Sequence, residues 1–180
     1  YDPAEDIRFL EVELDMWYLG ILKKGWEKFA RTIQQEGKEI HKALAKQLSG
    51  LGVDEKMVDS SIKKFGMENK KPTDWNDEEL EDLAVDMRKK TKPIIIAANK
   101  IDVEGAEDNL ERVRQLFPNY RVIACCAESE VALKEAAKHE LIDYVPGEKD
   151  FKILKEEGLN ENQKKALKFI RNNILAKYDS

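Results

Sequence analysis

The fold class predicted for this chain is α/β: an all-helical stretch followed by part of a parallel sheet. Three observations predict it. Residues 2 to about 75 keep a helical spacing of apolar side chains, interrupted by glycine-containing breaks. After Pro93, two short apolar runs, 94–98 and 120–125, alternate with amphipathic segments at the spacing of a parallel βαβ unit. The 180 residues, 42% of them hydrophobic, suffice for one good-sized domain or two small pieces. The expected division is a helical region over 1–90 and a sheet region over 91–180.

The first helix is expected from Asp2-Pro3, a cap followed by a first-turn proline. Phe9, Leu10, Leu14, Trp17, Leu19, Ile21, Leu22, Trp26, Phe29 and Ile33 continue an apolar stripe, with Gly20, Gly25 and Gly37 as candidate bends. Trp17, Trp26 and Phe29 read as core residues rather than stacking platforms. Residues 39–65 are helical again around a turn at "LSGLGVD", with Asp54 as a new cap. "MENKKPTDWN" reads as a polar connector. Residues 77–90 form a helix, acidic at its start and basic at its end, matching the helix dipole. In the second region, 94–98 and 120–125 are strands, and 107–117 and 129–139 are helices. The last helix runs from Asn160 or Asn162, either of which can cap it, to about Lys177.

Composition narrows the function classes. No apolar run approaches 18 residues, so no membrane span is expected. No signal-peptide pattern follows Tyr1, and a chain that opens in full helical stride reads either as cut from something longer or as ordinary processing. Cys125 and Cys126 are adjacent, which suits two small buried thiols in a reducing, cytoplasmic setting better than a bridge or a zinc site. Charged residues make up 37% of the chain, a composition that fits a hot-environment source. The net charge of −5 argues against general nucleic-acid binding by the whole chain. Residues 23–71 depart from that balance, with 12 Lys or Arg against 7 Asp or Glu, a net of +5. That excess suits either a basic surface for RNA or a ribosome, or a plain solvated helical face. His41 and His139 have no partners at ligand spacing and read as surface residues.

The chemistry-bearing stretch is "KPIIIAANKIDVEG", residues 92–105. Ligands of open α/β sheets lie beyond the carboxyl ends of the strands, where Asn99-Lys100-Ile101-Asp102 falls. An ionised Asp102 only accepts hydrogen bonds and has two oxygens side by side. Guanine offers two adjacent donors, its ring N1–H and its exocyclic amine. Adenine presents a lone pair at the equivalent ring nitrogen, so the wrong base would leave polar groups unpaired. Lys100 can lay its methylene stem along a base face while its charge stays wet. Asn99 can bond both base and neighbouring loops. The plainer reading is a polar turn that closes a strand.

A second loop, Cys125-Cys126-Ala127-Glu128-Ser129, follows the second strand. "NKID" and, 24 residues beyond Asp102, "CAE" together resemble the two base-binding motifs of Ras-like P-loop GTPases. "DPAEDIRFLEVELDMW", "KPIIIAANKID" and "ESEVALKEAAKHELIDYVPG" resemble more narrowly the YchF-type (Obg-like) branch of the Obg-related GTPases, in its archaeal form. The resemblance implies the C-terminal part of a P-loop GTPase, a Rossmann-like parallel sheet with an inserted all-helical region. It implies GTP or GDP as ligand, with hydrolysis in an intact parent that is associated with the ribosome. It makes Asp102 the guanine-specificity carboxylate, with Asn99 and Lys100 as companions. It places Cys126, Ala127 and Glu128 in the loop whose central amide contacts the guanine oxygen. The family's serine is Cys126 here, which removes a good hydroxyl partner and leaves the Ala127 amide untouched. No GxxxxGK[ST] occurs in the chain, so a phosphate cradle and the Mg²⁺ ligands are expected outside it. By the same resemblance they precede Tyr1, and a small TGS-type domain follows Ser180. The alternative is a helical module that binds RNA or ribosome and has no nucleotide role of its own.

Overall fold

The computed structural model describes residues 2–178. The described residues separate into two compact units, one comprising residues 4–93 and the other residues 2–3 with 94–178. No helix among the described residues is long and apolar enough to cross a membrane.

The first unit is helical: α1 (Pro3–Lys23), α2 (Trp26–Gln35), α3 (Ile40–Gln47), α4 (Glu55–Lys64) and α5 (Asp77–Thr91). Gly25 and Gly37 adopt positive φ and separate the first three helices, a conformation that glycine takes without a Cβ penalty. Gly20 lies inside α1 and makes no break. Asp54 caps α4 by accepting from the Met57 amide. Asn76 and Glu79 form a reciprocal capping box at the start of α5, so the "DEELED" carboxylates open a helix as expected. Tyr18, Leu22, Leu44, Leu48, Val58, Leu83 and Met87 are among the residues of one apolar core.

Two expectations for this unit need correction. The stripe on α1 buries only toward its C-terminal end. Tyr18, Leu19 and Leu22 are buried, whereas Phe9, Leu10, Val12, Met16 and Trp17 are exposed, Trp17 at 50%. Apolar residues occupy more of the α1 circumference than one packing face can cover. The connector "MENKKPTDWN" in turn supplies two core residues, Met67 and Trp75. Trp75 stacks on Trp26 with centroids 5.4 Å apart and planes 19° apart. Its indole N–H donates to the Lys70 carbonyl, which satisfies the polar edge of a buried ring.

The second unit contains β1 (Ile95–Ala98), α6 (Ala106–Leu116), β2 (Arg121–Ala124), α7 (Ala127–Lys138), β3 (Ile142–Asp143), β4 (Lys152–Ile153) and α8 (Glu161–Phe169). The pair β1 and β2 is parallel, with Ile95 opposite Arg121 and Ala98 opposite Ala124. The short antiparallel pair β3 and β4 has no counterpart among the sequence expectations. Two-residue strands are too short to carry a period. Asn160, not Asn162, caps α8, in a capping box with Gln163. The last helix does not continue unchanged, because residues Ile170–Leu175 form a π-helical turn. The wider turn brings Ile170, Ile174 and Leu175 all inward. Ile170 and Leu175 join the cluster around Leu133 and Phe151, while Ile174 joins the cluster beneath the motif loop.

Candidate functional site

The parallel register sets the loops after β1 and β2 side by side. The ladder runs on past the strand ends. The Cys125 amide donates to the Ala98 carbonyl at 3.0 Å, and the Ile101 amide donates to the Cys125 carbonyl at 3.3 Å. Between those bonds Lys100 adopts a left-handed backbone, φ 64°. This conformation costs a residue with a Cβ about 1–2 kcal/mol, and such outliers cluster at functional sites. It turns the chain so that Ile101 points inward and Asp102 outward. Ile101 is 6% exposed and packs with Leu110, Ala124, Cys126 and Ile174, whereas Asn99, Lys100 and Asp102 are exposed. The residue that the motif leaves unspecified is therefore its apolar anchor.

The second loop is shorter than expected, because α7 begins at Ala127 rather than at Ser129. Cys126 is the N-cap, and Ala127 and Glu128 lie in the first turn. There the exposed Glu128 carboxylate suits the positive end of the helix dipole. The Cys126 sulfur accepts from the Ser129 amide at 3.4 Å and from the Ser129 hydroxyl at 3.0 Å. Its own S–H donates to Asp102 Oδ1 at 3.1 Å. Where the resemblance implies a serine hydroxyl, the Cys126 thiol thus supplies a weaker donor to Asp102. The Ala127 amide donates to Asn99 Oδ1 at 3.0 Å. Both cysteines are free thiols, and burial pushes the Cys125 thiol up from its ordinary range, with the neighbouring Cys126 adding to the effect.

Of the six residues singled out in sequence, the structure brings Asn99, Asp102, Cys126 and Ala127 into direct contact across the two loops. Lys100 and Glu128 flank them as exposed side chains. Ile101 and Ser129 were missed. The N-cap-to-N3 spacing of Cys126 and Ser129 was the available signal for Ser129.

Other candidate features do different work. A cleft of about 310 Å³ beside the motif is lined by Asp102, Glu104, Glu107 and Asp108 on one side and by Phe169 and Lys177 on the other. Its carboxylates disfavour a phosphate there. The groove of about 990 Å³ in the helical unit runs past Trp26 and Trp75, but both rings are buried against each other rather than offered to a base. His139 is exposed, and the half-buried His41 has Nε2 3.9 Å from a Glu39 carboxylate oxygen. Among the described residues no group of three or more His, Cys, Asp or Glu could hold a metal ion.

Residues 97–180 match the family described as "Obg-like GTPase YGR210-like, G4 motif-containing domain". The chain is 46% identical over 178 residues to "Uncharacterized GTP-binding protein MJ1332" of Methanocaldococcus jannaschii, an alignment covering 99% of this chain and 44% of the relative. It is 28% identical over 194 residues to "Uncharacterized GTP-binding protein C428.15" of Schizosaccharomyces pombe, covering 100% of this chain and 45% of that protein. A crystal structure of a GTP binding protein from Pyrococcus horikoshii OT3 superposes with a TM-score of 0.78 at 35% identity, over 100% of this chain and 47% of that one. The chain thus spans about half the length of these relatives. Over residues 97–180, the part that carries the motif loops, the chain is therefore similar to the Obg-like GTP-binding protein family.

Proposed function

We propose that this chain is the guanine-recognition portion of an Obg-related GTPase of the YchF-type branch. One observation carries the reading: Asn99, Asp102, Cys126 and Ala127 meet in hydrogen bonds at the carboxyl ends of two parallel strands. Asp102 accepts from guanine N1–H and from the exocyclic amine. The Lys100 stem covers one face of the base. The Ala127 amide meets the guanine oxygen once Asn99 Oδ1 yields it. Glu128 borders the pocket from the first turn of α7. In this reading residues 91–180 are the C-terminal half of a P-loop domain, and 1–90 are helices inserted into it.

In this reading the chain supplies the contacts to the base and not the phosphate loop. It holds no GxxxxGK[ST] and, among the described residues, no cluster suited to Mg²⁺. Hydrolysis of GTP to GDP would therefore draw its phosphate loop and Mg²⁺ ligands from outside these 180 residues. The two free thiols suit a reducing, cytoplasmic setting. The ribosome or RNA is the partner that the basic stretch 23–71 would serve. Its lysines are partly neutralised within the unit, with Lys38 bonded to Glu36 and Lys42 to Glu39.

The test is nucleotide titration of the protein at its full natural length. GTP should bind better than ATP. Asp102→Asn exchanges one acceptor for a donor and should move preference from GTP toward XTP, whose base carries a carbonyl where guanine carries its amine. Unchanged GTP affinity in folded Asp102→Ala and Asp102→Asn proteins would reduce the motif to a strand-ending turn.

A further inference from the structure

We propose that Ser129 and Cys126 form a hydrogen-bond relay that positions Asp102 for base discrimination. Ser129 is thereby a specificity-determining positioning residue outside the two motifs. The inference rests on the reading of Asp102 as the base-reading carboxylate. It goes further by assigning the hold on that carboxylate, through the Cys126 thiol, to a buried serine in the first turn of α7.

The relay follows from hydrogen-bond polarity. A thiol has one proton to give. The Cys126 sulfur already receives two donors from Ser129, the amide at 3.4 Å and the hydroxyl at 3.0 Å. Its own proton is thus directed at Asp102 Oδ1, 3.1 Å away. Cys126 and Ser129 are 7% and 8% exposed, while Asp102 is exposed on a loop. The fixed end of the relay is thus in the protein and the free end at the surface. The sulfur is held twice over, by the N-terminal turn of α7 and by the apolar cluster with Ile101 and Ala124. An exposed carboxylate without a tether would sample several rotamers. Pairing two donors of one planar base requires both oxygens in the base plane at once. One oxygen held by a thiol selects that rotamer before the base arrives, and the second oxygen stays open to a ligand.

The relay makes a prediction that a merely structural role does not. It acts on discrimination, so its loss should be felt by the base that offers both donors more than by one that offers a single donor. The measurement is the ratio of GDP to IDP affinity in the full-length protein, since hypoxanthine is guanine without its amine. A hydrogen bond to a charged acceptor implies a ratio of about 10 or more in the unaltered protein. Asp102→Ala should bring the ratio close to 1. Cys126→Ala and Ser129→Ala should each lower it about 3-fold or more, and Cys126→Ser should return it toward its original value, because a hydroxyl can take over both bonds.

The outcomes separate the two claims. If Asp102→Ala leaves the ratio unchanged, Asp102 does not read the base and the relay falls with that reading. If Asp102→Ala collapses the ratio but folded Cys126→Ala and Ser129→Ala keep it, weakening both nucleotides alike, base reading stands and the relay is overturned. If either alanine variant fails to fold, failure of folded Cys126→Ser to hold a ratio above that of Cys126→Ala or Asp102→Ala overturns it as well.

Discussion

At the residue scale, the motif loop combines one strained position with one anchored position. Lys100 pays in backbone conformation for the turn that presents Asp102. Replacing it by glycine removes the Cβ penalty of about 1–2 kcal/mol and adds an entropic cost of about 0.5–1 kcal/mol. Lys100→Gly should therefore unfold at the same temperature or slightly higher, while guanine nucleotide binding weakens because the stem over the base is gone. A destabilisation well above 1 kcal/mol in thermal unfolding would show that the lysine side chain itself holds the loop. For Asp102→Ala the expected loss of GTP binding is about 2–4 kcal/mol by titration calorimetry, since two hydrogen bonds to one charged group are removed from a shared site. Ile101→Ala should behave differently from both. It opens a cavity among Leu110, Ala124, Cys126 and Ile174 and should cost about 2–5 kcal/mol of stability before any effect on the base is considered.

At the element scale, α4 and α5 are joined by a buried carboxylate. Asp86 accepts from Lys64 at 2.6 Å, from the Ser61 hydroxyl at 2.5 Å and pairs with Lys90 at 2.7 Å. Burial by itself would push its carboxyl up, but the bonds from Lys64, Lys90 and Ser61 outweigh burial and hold it at about 2 against an ordinary 3.8. A carboxyl whose folded value is depressed adds stability above its unfolded value, and that stability is lost as pH falls through the folded value. The window here is about pH 4 down to pH 2, and the contribution is about 2 kcal/mol. Urea unfolding at pH 5 should find Asp86→Asn about that much less stable than the parent, with the gap closing toward pH 2. A gap that stays constant with pH would place the effect in packing rather than in the charge.

At the scale of the whole molecule, the chain divides between a helical unit with its own core and a sheet unit whose loops carry the residues proposed to read the base. Phosphoryl transfer depends on positioned phosphate-binding amides and a metal ion, for which this chain has no GxxxxGK[ST]. The 180 residues on their own should show no magnesium-dependent release of phosphate from GTP. Turnover that copurifies with the chain and disappears in Asp102→Ala would contradict this division.

The sequence by itself determined most of the local structure. Periodicity located helices in the order found, Asp54 was announced as a cap by its side-chain chemistry, as was Asn160 with Asn162 left beside it, and the βαβ spacing predicted a parallel pair with its loops at one end. These are properties of a few consecutive residues, so they survive without knowledge of the fold. The tertiary structure alone decided which part of the α1 stripe is buried, that Met67 and Trp75 leave a polar connector to enter a core, and that residues 142–143 pair with 152–153. It alone decided that the Cys126 thiol meets Asp102 and that Ile101 rests on Ile174 from a π-helical turn 73 residues away. The physical reason is the same in each case. These contacts join segments distant in sequence, and only strand register and core packing bring such segments within the few ångströms over which hydrogen bonds and dispersion act.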